Sequence, residues 1–153
     1  EIDFAVHSAK DLSEPIPKGL TIAAITKSID PYDALVLRQS SVPTLSVVEG
    51  LVSRGNLKID ELKKGAKIGV SSQRRKTQLK KYRDDFCLVD IRGNIEERLE
   101  KLAQDGLDAI VVAACALVRL GLENRIAQRI PFKILTPHPL QGSLAIVVRK
   151  DEL

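Results

Sequence analysis

From residue 67 onward, short apolar runs alternate three times with segments of helical character, and this alternation constrains the fold more than any other feature. Lys67 to Val70 is a strand that leads to a helix over 73–82. Phe86 to Ile91 is a strand that leads to a helix over 95–104, and Ala109 to Ala113 is a strand that leads to a helix around Ala114 to Leu120. Alternating elements of these lengths imply a parallel sheet covered by helices. The helix at 95 carries its own boundary marks. Asn94 can cap it and Glu97 completes a capping box. Ile95, Leu99, Leu102 and Ala103 make an apolar stripe, and Gly106 suits the C-terminal cap.

Three further strands precede this region: Ile2 to His7, with Ile2, Phe4 and Val6 on one face, then Leu20 to Ile25, then Tyr32 to Arg38. Residues 39–56 give mixed signals and look like an elaboration of the fold. Ile59 to Lys64 is a short helix with acids early and lysines late, as the helix dipole favours. In the tail, Pro131, Pro137 and Pro139 lead through Gln141-Gly142 to a last apolar strand, Leu144 to Val148. If that strand pairs with the first ones, the chain passes into a second lobe and returns, and two lobes joined by two crossings form a cleft that can hinge.

The 153 residues are 44% hydrophobic and 29% charged, which suits a globular protein. Aromatic residues make up only 3%, which argues against the stacking surfaces used on single-stranded nucleic acid. The net charge of +4 favours anionic partners without indicating nucleic acid. Cys87 and Cys115 both sit in apolar runs and are expected as reduced core residues. No run is long enough to span a membrane and no secretory signal precedes the first strand, so the expected location is cytoplasmic. The closing Lys150-Asp151-Glu152-Leu153 matches a retention signal, taken here as coincidence because it directly follows a strand. The chain has no methionine and begins in an apolar strand, from which further sequence upstream is expected.

Polar residues gather where the predicted strands end, the place where parallel sheets bind ligands. Ser8, Lys10 and Asp11 follow the first strand, and Ser71, Ser72, Arg74 and Arg75 follow the strand at 67. Arg92 and Asn94 follow the strand at 86, with Arg98 one turn into the next helix, and Arg119 lies near the end of the helix after strand 109. In Gly69-Val70-Ser71-Ser72-Gln73-Arg74-Arg75-Lys76, two hydroxyls meet a helix N-terminus and three cations follow. Free N–H groups, hydroxyls and planar guanidinium donors there suit a carboxylate or phosphate. The plainer reading is a serine cap followed by a solvated basic face. Arg92, Arg98 and Arg119 also have plain readings, as a cap for a neighbour, a surface cation and a partner of its own helix C-terminus. Asp11 is the odd charge among these cations. It is either a turn residue paired with Lys10 or an arginine, or a carboxylate that stabilises positive charge developing on a ligand or passes it a proton. His7 is assigned to packing, and His7 and His138 do not combine with the cysteines into a metal set.

Five stretches together resemble the porphobilinogen deaminase (hydroxymethylbilane synthase) family. Val6-His7-Ser8-Ala9-Lys10-Asp11-Leu12 is similar to V-H-S-x-K-D. Gly69-Val70-Ser71-Ser72-Gln73-Arg74-Arg75 is similar to G-T-S-S-x-R-R, and Arg92-Gly93-Asn94 with Arg98-Leu99 to R-G-N-x-x-x-R-L. Arg119-Leu120-Gly121-Leu122 and Pro139-Leu140-Gln141-Gly142 complete the set in family order. The departures are Val70 for threonine, Ala116 and Leu140 for glycines, and a longer 39–56 stretch.

The resemblance implies a transferase of tetrapyrrole (haem) biosynthesis that joins four porphobilinogens head to tail with release of ammonia. It implies Asp11 as the catalytic acid and cation stabiliser. Ser8, Lys10, Ser71, Ser72, Arg74, Arg75, Arg92, Arg98, Arg119 and Gln141 are implied as cofactor- and substrate-binding residues, with no metal. It implies a dipyrromethane cofactor, bonded in the family to a cysteine of a further domain that is not expected among these residues. The implied fold is α/β, like the two-lobed periplasmic binding proteins, with mostly parallel sheets and an incomplete first lobe. Residues 1–26 and 143–153 form part of that first lobe, 32–136 the second, and 27–31 and 137–142 the hinge crossings. The implied partners are porphobilinogen and polypyrrole intermediates, with no nucleic acid and no membrane, and the full-length form is expected as a monomer. On this expectation these residues alone do not turn over porphobilinogen. Two other readings stay open: a non-catalytic anion-binding module on the same fold, and a basic nucleic-acid-binding domain.

Overall fold

The computed structural model describes residues 2–38 and 57–152, so the expectations for 39–56 lie outside the described residues. The chain divides into two compact units, Glu1–Pro31 with Pro137–Leu153, and Tyr32–Thr136.

The first unit is built on an antiparallel sheet of three strands, β1 (Phe4–Ser8), β2 (Leu20–Ile25) and β8 (Leu144–Arg149), with β8 in the middle. Pairing Phe4 with Val148 and Val6 with Ile146 puts these side chains on one face. Phe4 and Val6 remain more than half exposed. His7, assigned to packing from the sequence, is also exposed. The segments around residues 26–31 and 141–144 are hydrogen-bonded to each other. Thr26 N donates to Leu144 O (2.9 Å), Ser28 Oγ to Gln141 O (2.7 Å) and Gln141 Nε2 to Pro31 O (2.8 Å).

The second unit holds a five-stranded sheet in the order β5-β4-β6-β3-β7. Its strands are β3 (Asp33–Leu37), β4 (Lys67–Gly69), β5 (Cys87–Val89), β6 (Ala109–Ala113) and β7 (Gln128–Ile130). The helices are α1 (Gln73–Tyr82), α2 (Ile95–Gln104) and α3 (Ala114–Arg119). Every residue of β3 and β6 is buried, because alternate side chains enter different cores. Leu35, Leu37, Ala109 and Val111 pack with Leu79 of α1, whereas Ala34, Val36, Ile110 and Val112 pack with Leu102 of α2 and Leu117 of α3. The sheet is therefore covered on both faces. Burying a leucine such as Leu79 completely contributes about 1.5–3 kcal/mol.

Several expectations need correction. The sheets are mixed rather than mostly parallel: among the described residues only the β4–β5 and β4–β6 pairings are parallel. Strand–helix alternation dictates parallel pairing only where a helix returns the chain to the same side. β3 runs antiparallel to β6 and β7, and β8 antiparallel to β1 and β2. The helix expected over 59–64 is a single 3-10 turn, Ile59–Glu61. Cys87 is exposed on edge strand β5, while Cys115 is buried as expected. Ala103, placed in the apolar stripe of α2, faces outward, and its carbonyl accepts from Arg38 Nη2 at 3.0 Å.

Candidate carboxylate-binding site

The site is built on the loops that follow β4 and β5. Gly69 ends β4 in tight contact with the core: a Cβ there would lie 3.0 Å from both Ile110 Cγ2 and Leu107 Cδ1. A larger residue would push the strand end out and displace the turn that carries Ser71 and Ser72. Ser72 is the N-cap residue of α1, yet its hydroxyl makes no capping hydrogen bond. The plain reading of a serine cap therefore does not hold for Ser72. The N–H groups of the first helical turn have no partner within the helix and suit an anion.

After β5, Asn94 caps α2 in a complete capping box. Asn94 Oδ1 accepts from Glu97 N, and Glu97 Oε2 accepts from Asn94 N, both at 2.9 Å. Gly93 has φ of +117°, and a Cβ would come within 2.0 Å of the Glu97 carboxylate, so this box requires glycine. The box sets the start of α2 and hence the position of Arg98 on its first turn. Arg98 Nε donates to Gly93 O at 2.7 Å and Nη1 to Ser71 Oγ at 3.0 Å, which ties the loop after β5 to the loop after β4.

Arg74 and Arg75 both end on Asp33, the first residue of β3. Asp33 Oδ1 accepts from Arg75 Nε (2.9 Å) and Nη2 (2.6 Å), and Oδ2 accepts from Arg74 Nη2 (3.0 Å). Asp33 is fully buried and Arg75 is 4% exposed. Arg74 also donates to the carbonyl of Thr136. Among the described residues no buried side-chain nitrogen or oxygen lacks a hydrogen-bond partner. The next cation, Lys76, pairs with Asp90 at 2.5 Å and holds that carboxyl below the usual carboxylate range. Burial pushes the Arg98 guanidinium below its ordinary value, and the positive charge of Arg75 adds to the effect. Arg74 and Arg75 thus converge on one carboxylate, and Arg98 lies close enough for the charge of Arg75 to act on it.

The structure does not gather all the predicted residues here. Arg92 has an exposed side chain, and its carbonyl accepts from Lys101 Nζ at 2.7 Å. Arg119 closes α3, at the far end of that helix from β6. Ser8, Lys10 and Asp11 belong to the first unit. Ser8 ends β1, and Ala9–Asp11 is a 3-10 turn anchored by Ala9 N donating to Ser143 O at 3.0 Å. The Asp11 carboxylate is exposed, whereas Gln141 is fully buried between the chain segments described above. Sequence reasoning missed Asp33. The available signal was a charge opening a wholly apolar strand, Asp33-Ala34-Leu35-Val36-Leu37, since a buried carboxylate requires a cation.

Residues 1–153 match the family model described as "Porphobilinogen deaminase, dipyromethane cofactor binding domain". The porphobilinogen deaminase of Desulforamulus reducens is 43% identical over 99% of this chain and 44% of its own length. That of Pelotomaculum thermopropionicum is 45% identical over the same shares. The chain thus spans less than half the length of these curated relatives. The match runs through both of the loops that hold the arginine cluster and through the turn that carries Asp11, and with identity at this level over 99% of its length the chain belongs to the porphobilinogen deaminase family.

Proposed function

We propose that the complete protein is a hydroxymethylbilane synthase, which deaminates porphobilinogen and condenses four units head to tail. The observation that carries this reading is the arginine cluster, three guanidinium groups at the ends of β4 and β5 with one buried carboxylate among them. Porphobilinogen and its oligomers carry an acetate and a propionate on every ring, so a site for them needs convergent cationic donors. Arg74, Arg75, Arg98 and Arg92, with Ser71 and Ser72, bind those carboxylates on the second unit. Arg119, Ser8, Lys10 and Gln141 are further contacts in the same reading. The two units are taken as the lobes of a periplasmic-binding-protein-like fold.

The family's dipyrromethane cofactor fits the donor set of the second unit, because it bears the same carboxylates as the substrate. Arg74, Arg75 and Arg98, with the hydroxyls of Ser71 and Ser72, would hold them. When bound, the group supplies the pyrrole end on which the chain grows. Asp11 stabilises positive charge on the substrate pyrrole as the amine leaves, and hands a proton to the departing ammonia. Its carboxylate is exposed at the end of a turn anchored to the sheet, so it is accessible without rearrangement.

Replacing Asp11 by Asn in the complete protein tests this reading. Porphobilinogen turnover is expected to fall by about 100-fold or more with folding unchanged, in line with the loss of a general acid. An undiminished rate would overturn the assignment. Mass spectrometry of the same protein is expected to show a covalent dipyrromethane adduct. A bare polypeptide mass would favour the non-catalytic anion-binding module.

A further inference from the structure

Arg74 and Arg75 are neighbours on α1, and successive residues of a helix project about 100° apart. Helical geometry alone would send their guanidinium groups in different directions. In the structure both reach Asp33, one through each carboxylate oxygen. Asp33 is held where it can do this by the antiparallel pairing of β3, which sets it opposite Ala113 at the end of β6. Full burial keeps its carboxylate from turning out to water. Arg74 is fixed from a second side by the carbonyl of Thr136. That residue is itself clamped by Gln78, whose Nε2 donates to Thr136 O at 3.2 Å and whose Oε1 accepts from Thr136 N at 2.8 Å.

We infer that Asp33 is a positioning residue for carboxylate binding, which converges Arg74 and Arg75 on the loop after β4 and lets three like charges stand together before a ligand arrives. This rests on the proposed function and deepens it by naming a residue that shapes the grip without touching the substrate. Arg74, Arg75 and Arg98 repel one another, and the positive charge of Arg75 already disfavours the charged form of Arg98. The Asp33 carboxylate, bonded to Arg74 and Arg75, offsets part of that repulsion. Two long side chains that are ordered in advance need not be ordered by the ligand, which raises affinity without a new contact. Asp33 therefore acts on binding more than on the chemical step.

The test is Asp33→Asn in the complete protein, assayed with porphobilinogen below the variant's unfolding temperature. Asparagine keeps the size and one acceptor but removes the charge and turns a donor toward one arginine. The expected result is a KM raised about 10-fold or more with kcat altered less than about 3-fold, the pattern of lost binding rather than lost chemistry. A lowered melting temperature with unchanged KM overturns the inference, as does a fall in kcat alone, and both leave the proposed function standing. A wild-type protein inert toward porphobilinogen overturns both. If Asp33→Asn does not fold, the Nε proton of Arg75 is followed by NMR in the wild type. Slow exchange in the free protein that persists at saturating porphobilinogen is expected, and fast exchange in either state overturns the inference.

Discussion

Arg75 and Arg83 each lie against an aspartate in the second unit, and their neighbourhoods differ in how charge and hydrogen bonds balance. Arg83 forms a bidentate pair with Asp85, Nε to Oδ1 at 3.0 Å and Nη2 to Oδ2 at 2.7 Å. Its Nη1 reaches the carbonyls of Ile59, Asp60 and Leu62 at 3.4, 3.2 and 3.0 Å, and its guanidinium lies 4.3 Å from the centre of the Phe86 ring. One cation meets one anion there, and the donors end on the protein's own acceptors. This knot joins the 3-10 turn at Ile59–Glu61 to the connection between α1 and β5. At the other cluster, Arg74 and Arg75 share the Asp33 carboxylate, while Arg98, held on Gly93 O and Ser71 Oγ, is kept below its ordinary value by burial and by the charge of Arg75. A saturated arginine marks structure. Neighbouring cations that act on one another are what the proposed carboxylate site requires.

Arg98→Ala should separate the two most widely. Removing this guanidinium is expected to raise the KM for porphobilinogen about 10- to 100-fold, the usual range for one lost charge-assisted carboxylate contact. The melting temperature is expected to change little, because relief of a repelled and partly desolvated charge offsets the hydrogen bonds lost to Gly93 and Ser71. Arg83→Ala should do the reverse. Loss of the three carbonyl contacts, the ring contact and the pair with Asp85 is expected to cost on the order of 2 kcal/mol in denaturant unfolding, and the KM should not move. Equal effects of both variants on KM would break the distinction.

The same contrast shows what was legible in the sequence. α1 and α2 have the bounds expected, because local rules decide them: a turn of small polar residues before Gln73, and a capping box between Asn94 and Glu97. β7 was missed because Gln128-Arg129-Ile130 has no strand pattern of its own; it becomes a strand by pairing with β3. The turn at Ile59–Glu61 does not extend into a helix, and its shape is set from a distance, with Ile59 N held by Gln128 Oε1 at 2.8 Å and the Arg83 guanidinium on its carbonyls. Cys87 lies in a continuous apolar run, in which side-chain parity is invisible, so its exposure on an edge strand could not be read off. The arginines of the Ser-Ser-Gln-Arg-Arg turn were visible as a group, but their shared carboxylate comes from β3, 41 residues away from Arg74 and brought near only by the antiparallel pairing of β3 with β6.

The smallest expected effect is a pH signature of the Arg83 knot. The hydrogen bonds from Arg83 hold the Asp85 carboxyl down at about 2, although its partial desolvation works the other way, and the Gly65 N–H at 3.2 Å assists. In the unfolded chain the same group titrates near 4. Between these values the unfolded state binds more protons than the folded one, so stability must rise with pH across that window. The contribution is fully present above about pH 4 and is lost as the pH falls toward 2. Asp85→Asn should therefore be less stable than the wild type by a constant margin at neutral pH, and that margin should close between pH 4 and pH 2 in acid unfolding followed by circular dichroism. Arg83→Ala should flatten the same window, since it removes the group that depresses the pKa. Arg98→Ala should leave the slope there unchanged, because its charge acts on the other cluster and on what binds to it. A slope altered by Arg98→Ala and untouched by Arg83→Ala would mean that the two clusters have been assigned the wrong way round.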